Sequence, residues 1–152
     1  MLSAGDLAPP ISLPNQVGDI VEFGPSTMPG HRVLVFFYPK ADTPGCTQQA
    51  CGLRDLAGQI GSTTIIGISP DKQAAQQRFD TKYTLGFDLL ADTEHHVAEA
   101  YGVWKEKKNY GRTYMGIERS AFLIDASGKI EQAWYKISPK DTPLKLLAAL
   151  AG

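Results

Sequence analysis

Two runs constrain this chain more than anything else in it: RVLVFFY (Arg32 to Tyr38) and TTIIGIS (Thr63 to Ser69). Both are almost unbroken in apolar, β-branched or aromatic residues, with no alternation of apolar and polar positions. A strand that shows one face to water alternates, whereas a strand covered on both faces does not. Neither run approaches the roughly 20 apolar residues that span a bilayer. The chain must therefore build a sheet with layers on both sides, and the segments between the runs must supply the covering helices.

Those segments have the expected patterns. A helix begins near Thr43. A second, SPDKQAAQQRFDTKY, opens with Ser69 as N-cap and Pro70 at the first helical position, and repeats Ala75, Phe79 and Tyr83 every four residues. FDLLAD is a short strand candidate, and a helix from about Thr93 to Tyr101 is closed by Gly102. SAFLIDASGKIEQAWYKI reads as a hairpin turning at Ser127-Gly128, and an amphipathic helix occupies Thr142 to Leu150. A small hairpin around Asn15 to Gly18 precedes them all. Strand, helix, strand, helix, then hairpin and helix is the order of a thioredoxin-like α/β fold: a mixed central sheet flanked by helices, here with an N-terminal β-hairpin extension. With 152 residues, the expectation is a single domain spanning 1–152. Folding at that size hides roughly 68–70% of the unfolded chain's surface, so no covalent staple is needed.

The net charge is -1, and KEKK (Lys105 to Lys108), tempered by Glu106, reads as a solvated loop. Nucleic acid and anionic membranes need a concentrated basic surface, so neither is an expected partner. The start, MLSAGDLAPPISLP, lacks a basic n-region followed by a long apolar run. A cytoplasmic protein is expected, in a compartment where thiols are kept reduced.

Both cysteines lie in ADTPGCTQQACGLRD, five residues apart. Thr43 suits an N-cap, Pro44 the first helical position, and Gly45 a close approach of ligand to backbone. Cys46 then falls third in the helix, where free N–H groups and the helix dipole favour a thiolate, the nucleophilic form. On a stripe with Ala50, Leu53, Ala57 and Ile60, Cys46 also reads as a small buried hydrophobe. Five residues turn a helix by about 140° and leave the two Cα atoms roughly 8.7 Å apart. A disulfide wants less than about 7 Å. A static clasp is poor geometry, and a switch between helix and disulfide fits better. Zinc would need four ligands, and the adjacent His95 and His96 diverge by about 100° on a helix, so no metal is expected.

The array YPKADTPGC, with Pro39, Thr43 and Cys46 as P-x-x-x-T-x-x-C, resembles the peroxiredoxin active-site signature. The longer FFYPKADTPGCTQQACGLRD, with YGVWKEK and GIERSAFLIDASGKI, is similar to the bacterioferritin comigratory protein (PrxQ) branch of that family, from about Gly5 to Leu150. The resemblance implies a thiol peroxidase that reduces hydrogen peroxide and organic hydroperoxides without metal, flavin or haem. It makes Cys46 the peroxidatic cysteine and Cys51 the resolving cysteine of members that hold it in the same helix. Thr43 becomes the hydroxyl that contacts thiolate and peroxide, Pro39 the shield of the pocket, and Arg119 the distant arginine. Gly45 contributes backbone N–H to the substrate site. The implied recycling partner is thioredoxin or a glutaredoxin-type reductant, and the implied state is a monomer. Without the resemblance, Arg119 is a strand-start arginine suited to a surface ion pair with Glu118. A disulfide oxidoreductase would want C-x-x-C, which is absent, and a non-enzymatic α/β interaction module would leave the thiols incidental.

Overall fold

The structure, a computed structural model, describes residues 1–24 and 27–151. The two apolar runs form neighbouring parallel strands, β3 (Val33–Phe37) and β4 (Thr64–Ser69), in a five-stranded sheet. β5 (Asp88–Ala91) extends the parallel side, while β8 (Ser120–Ile124) and β9 (Ile130–Trp134) complete the antiparallel side, giving the order β5-β4-β3-β8-β9. This is the mixed, thioredoxin-like sheet read from the sequence. β1 (Ile11–Pro14) and β2 (Ile20–Phe23) form the N-terminal hairpin, whose turn closes where Gly18 N–H donates to the Asn15 carbonyl. No described helix is long and apolar enough to cross a membrane.

The doubly covered reading of β3 is visible residue by residue. Val33, Val35 and Phe37 face a core built with Val97, Ala98 and Tyr101, on and just after α3 (His96–Ala100). Leu34 and Phe36 face the opposite core, with Leu53 of α1 (Pro44–Arg54), Phe79 of α2 (Gln73–Tyr83) and Leu146 of α4 (Asp141–Ala151). Burying a leucine or phenylalanine fully contributes about 1.5–3 kcal/mol, and these side chains have no exposure to spare for a one-residue slip of register.

Three local expectations are corrected. α2 starts at Gln73, not at Ser69-Pro70. Ser69 ends β4, and its hydroxyl donates to Asp71 Oδ2 and accepts from Asp71 N–H, so a side-chain turn displaces the helix start. α3 starts at His96 rather than Thr93, because the buried Asp92 carboxylate reaches forward to the N–H groups of Val97 and Ala98. His95 lies before that helix in left-handed backbone, and its ring stacks on Trp104 with centroids 4.1 Å apart.

The third correction matters most. KEKK is not a loop but part of β6 (Trp104–Asn109), paired with β7 (Arg112–Ile117) in a two-stranded hairpin. Its turn places Tyr110 and Gly111 at φ +51° and +76°. Two consecutive positive φ values suit a hairpin turn, but tyrosine is not a residue that announces one.

Candidate active site

β3 leads straight into the segment that carries the cysteines, and several bonds hold that segment still. Ala41 N–H donates to Asp71 Oδ2 at 2.7 Å. Asp42, with φ +61°, takes Lys82 Nζ at 2.9 Å and the Tyr83 hydroxyl at 2.8 Å. The Lys82 bond first, and the Tyr83 bond after it, hold the Asp42 carboxyl below the usual carboxylate range. Thr43 then occupies the N-cap position with extended backbone, and Pro44 opens α1.

Thr43 does not cap with its side chain. Its hydroxyl donates instead to the Lys40 carbonyl at 2.9 Å, and no side-chain bond reaches the first helical amides. The N–H groups of Gly45 and Cys46, which have no partner one turn back in the helix, are thereby left to a ligand oxygen.

Cys46 sits in the third helical position with 1% of its surface exposed, in the core cluster that includes Tyr38, Ala50 and Leu53. Arg119 arrives from across the sheet. β8 runs antiparallel to β3 with Ser120 opposite Phe37, so the residue before Ser120 emerges at the end where α1 begins. Its Nη1 donates to Cys46 Sγ at 3.4 Å and to Gln49 Oε1 at 2.8 Å. Arg119 is therefore not the surface partner of Glu118. Gly45 leaves room for the guanidinium: a Cβ there would lie 3.1 Å from Arg119 Nη2 and 3.4 Å from Pro139 Cγ.

Tyr38 backs the site. It is fully buried, donates to Gln76 Oε1, and burial pushes its phenol far above the ordinary range, with the Asp71 carboxylate acting in the same direction. It stays neutral and serves as a wall. Pro39 is half-buried beside it.

The fold thus brings Cys46, Gly45 and Arg119 together, keeps Thr43 one residue outside the helix, and leaves Cys51 on the same helix. Both cysteines are free thiols, Cys46 buried and Cys51 half-buried. Two residues escaped the sequence reading. Gln49 lies three residues after Cys46, a spacing that shares a helix face and could have pointed to it. It is buried, and its Nε2 donates to Thr142 Oγ1 at 2.9 Å, tying the site to α4. Lys107 left no local signal. It joins Arg119 in lining an open groove of about 810 Å³ only because β6 is a strand.

The family model described as the AhpC/TSA family matches residues 4–133. Peroxiredoxin Bcp of Escherichia coli (strain K12) is 52% identical over 135 residues, covering 88% of this chain and 85% of its own. Peroxiredoxin Bcp of Bacillus subtilis (strain 168) is 43% identical over 151 residues, covering 98% and 95%. The solved structure of the Xanthomonas campestris bacterioferritin comigratory protein, described for its alkyl peroxide reduction activity, is similar with a TM-score of 0.84. It is 31% identical, over 93% of this chain and 90% of that one.

Fold, cysteine site and relatives agree: the chain belongs to the AhpC/TSA family and is a thiol-dependent peroxidase. Within that family it stands with the Bcp and PrxQ peroxiredoxins.

Proposed function

We propose that Cys46 is the peroxidatic cysteine and Cys51 its resolving partner, recycled by thioredoxin or a glutaredoxin-type dithiol. The observation that carries this reading is Arg119 Nη1 at 3.4 Å from Cys46 Sγ, on a helix N-terminus with free amides. The Cys46 thiolate attacks the near oxygen of hydrogen peroxide or an organic hydroperoxide. An S–O bond forms as the O–O bond breaks, the far oxygen leaves with the electron pair, and one proton makes it water or alcohol. Charge growing on that oxygen is met by Arg119 and by the N–H groups of Gly45 and Cys46. The Thr43 hydroxyl joins them by turning from the Lys40 carbonyl toward the substrate. Pro39 shields the thiolate from bulk water.

Cys51 thiol then displaces water from the Cys46 sulfenic acid, giving a disulfide that an external dithiol reduces. The reading has the single domain of residues 1–152 acting as a monomer in the cytoplasm, where such dithiols are maintained. The test is peroxide consumption coupled to a thioredoxin system. Cys46→Ser should be inactive with every reductant. Cys51→Ser should react once, stop at a trappable sulfenic acid and fail to turn over. Appreciable turnover by Cys46→Ser would overturn the nucleophile, and full turnover by Cys51→Ser would overturn the resolving step.

A further inference from the structure

One residue outside α1 is bonded to the chain on both sides of that helix. Tyr83, the last residue of α2, gives its hydroxyl to Asp42 Oδ1 at 2.8 Å, two residues before α1 starts. Its carbonyl accepts Arg54 Nη1 at 2.6 Å, from the last residue of α1. Both cysteines lie between these two attachments. The Tyr83 ring packs edge-on against Phe79, with centroids 5.7 Å apart, and lies on the same core as Ala41 and Cys51. The end of α2 is itself firmly held. Asp80 Oδ1 accepts the N–H groups of Leu85 and Gly86, and its Oδ2 accepts Gln16 Nε2 from the N-terminal hairpin. Lys82 also reaches Asp42, but that pair is exposed, and exposed pairs contribute little.

An intact α1 holds its two cysteines too far apart to join, so the resolving step needs the helix to open. The two Tyr83 bonds oppose that opening in either of two ways. If they persist, the melted chain has to loop between fixed ends and gains less conformational entropy. If they break, opening loses them.

We propose that Tyr83 is a positioning residue for the resolving step, a clasp that sets how often α1 opens for Cys51 to reach the Cys46 sulfenic acid. The inference rests on Cys46 being the peroxidatic and Cys51 the resolving cysteine. Two reactions compete for that sulfenic acid. In one, the Cys51 sulfur bonds to the Cys46 sulfur as the S–O bond breaks and water leaves. In the other, a second hydroperoxide transfers one oxygen to the sulfenic acid, giving sulfinic acid and water or alcohol. Only the first needs the open helix. The clasp therefore also sets the hydroperoxide concentration at which over-oxidation overtakes disulfide formation. The helix is the form the structure shows, so the open form is the minor one. Raising a minor population several-fold speeds the step that uses it and barely depletes the form that reacts first with peroxide.

Single-turnover oxidation with hydrogen peroxide, quenched with a thiol-blocking reagent and read by mass spectrometry, separates the steps. Tyr83→Phe keeps the ring and the carbonyl and loses only the hydroxyl bond. It should oxidise Cys46 within twofold of wild type and form the disulfide about two- to fivefold faster, the lower part of the range for one hydrogen bond. Its half-point for over-oxidation should rise by the same factor, and amides from about Gly45 to Leu53 should exchange faster in the reduced protein. Asp42→Ala should match it, whereas Asp42→Asn, which keeps an acceptor for the hydroxyl, should stay near wild type. Val97→Ala weakens the core on the other face of the sheet and should leave the ratio of disulfide to sulfinic acid unchanged. An unchanged or slower disulfide step in Tyr83→Phe, equal changes in both steps, or the same ratio change in Val97→Ala would each overturn the clasp. Asp42→Asn as fast as Tyr83→Phe would overturn it in favour of Lys82. Cys51→Ser isolates the underlying reading: if that variant over-oxidises no more readily than wild type, the resolving role fails and takes the clasp with it. A resolving Cys51 beside an unmoved Tyr83→Phe overturns the clasp alone.

Discussion

A single nitrogen of Arg119, Nη1, lies 3.4 Å from Cys46 Sγ and 2.8 Å from Gln49 Oε1. Cys46 and Gln49 are three residues apart on one face of α1, so the guanidinium is clamped along the helix from the short link between β7 and β8, 73 and 70 residues further on. Gln49 is itself held by donating to Thr142 Oγ1, and Thr142 Oγ1 donates to the Ser138 carbonyl at 2.9 Å. The position of the candidate catalytic arginine is thus set by a buried polar chain that ends at the start of α4.

That chain predicts the behaviour of Gln49→Leu. Arg119 and Thr142 both lose a buried partner, and an unsatisfied buried group costs about 1–3 kcal/mol. The variant should melt at lower temperature and oxidise Cys46 at least tenfold more slowly, since misplacing a group near the chemistry by about 1 Å can cost about 10² in rate. Gln49→Glu, which keeps an acceptor opposite Arg119, should retain most of the rate. Stopped-flow oxidation and thermal melts of the pair check both statements.

Gly45→Ala separates packing from chemistry. The added methyl would stand 3.1 Å from Arg119 Nη2, and alanine suits the first turn of a helix. Stability should change little, while Cys46 oxidation slows by about tenfold to 10²-fold as the guanidinium is displaced. A wild-type oxidation rate would mean that Arg119 yields without consequence.

Thr43→Val removes a hydroxyl bound to the Lys40 carbonyl. If that hydroxyl also serves the transition state, the rate should drop by about 10²–10³, the usual cost of one such donor. Thr43→Ser should keep most of it. Oxidation of Thr43→Val within threefold of wild type would leave the hydroxyl a loop-closing role alone.

Disulfide formation should melt the start of α1. Both cysteines lie within Pro44–Arg54, and Cys46, Ala50 and Leu53 are buried against the sheet. On an intact helix their Cα atoms are roughly 8.7 Å apart, beyond the reach of about 7 Å for a disulfide. The oxidised protein should lose helix by circular dichroism and exchange amide hydrogens faster from about Gly45 to Leu53. Unchanged exchange across α1 on oxidation would refute the unwinding step.

What the sequence determined by itself was local or periodic. The unbroken apolar runs dictated doubly covered strands, and Thr43-Pro44-Gly45 dictated a helix start that sets Cys46 third in line. The turns at Asn15–Gly18 and Ser127-Gly128 were written in residues that tolerate the required backbone. The candidate site's motif was legible because a helix N-terminus and Cys46 are neighbours in the chain.

Tertiary structure decided the rest. Ser69 and Asp71 bonded to each other and delayed α2, a competition that propensity does not resolve. Arg119 became a thiol partner rather than a surface ion because Ser120 pairs with Phe37. KEKK became a strand whose Lys107 enters the groove, through a turn at Tyr110-Gly111 that its residue types do not advertise. The physical reason is the same in each case: the energy of these groups lies in bonds and burial between residues distant in the chain, and no local pattern encodes a partner that only the folded sheet brings within reach.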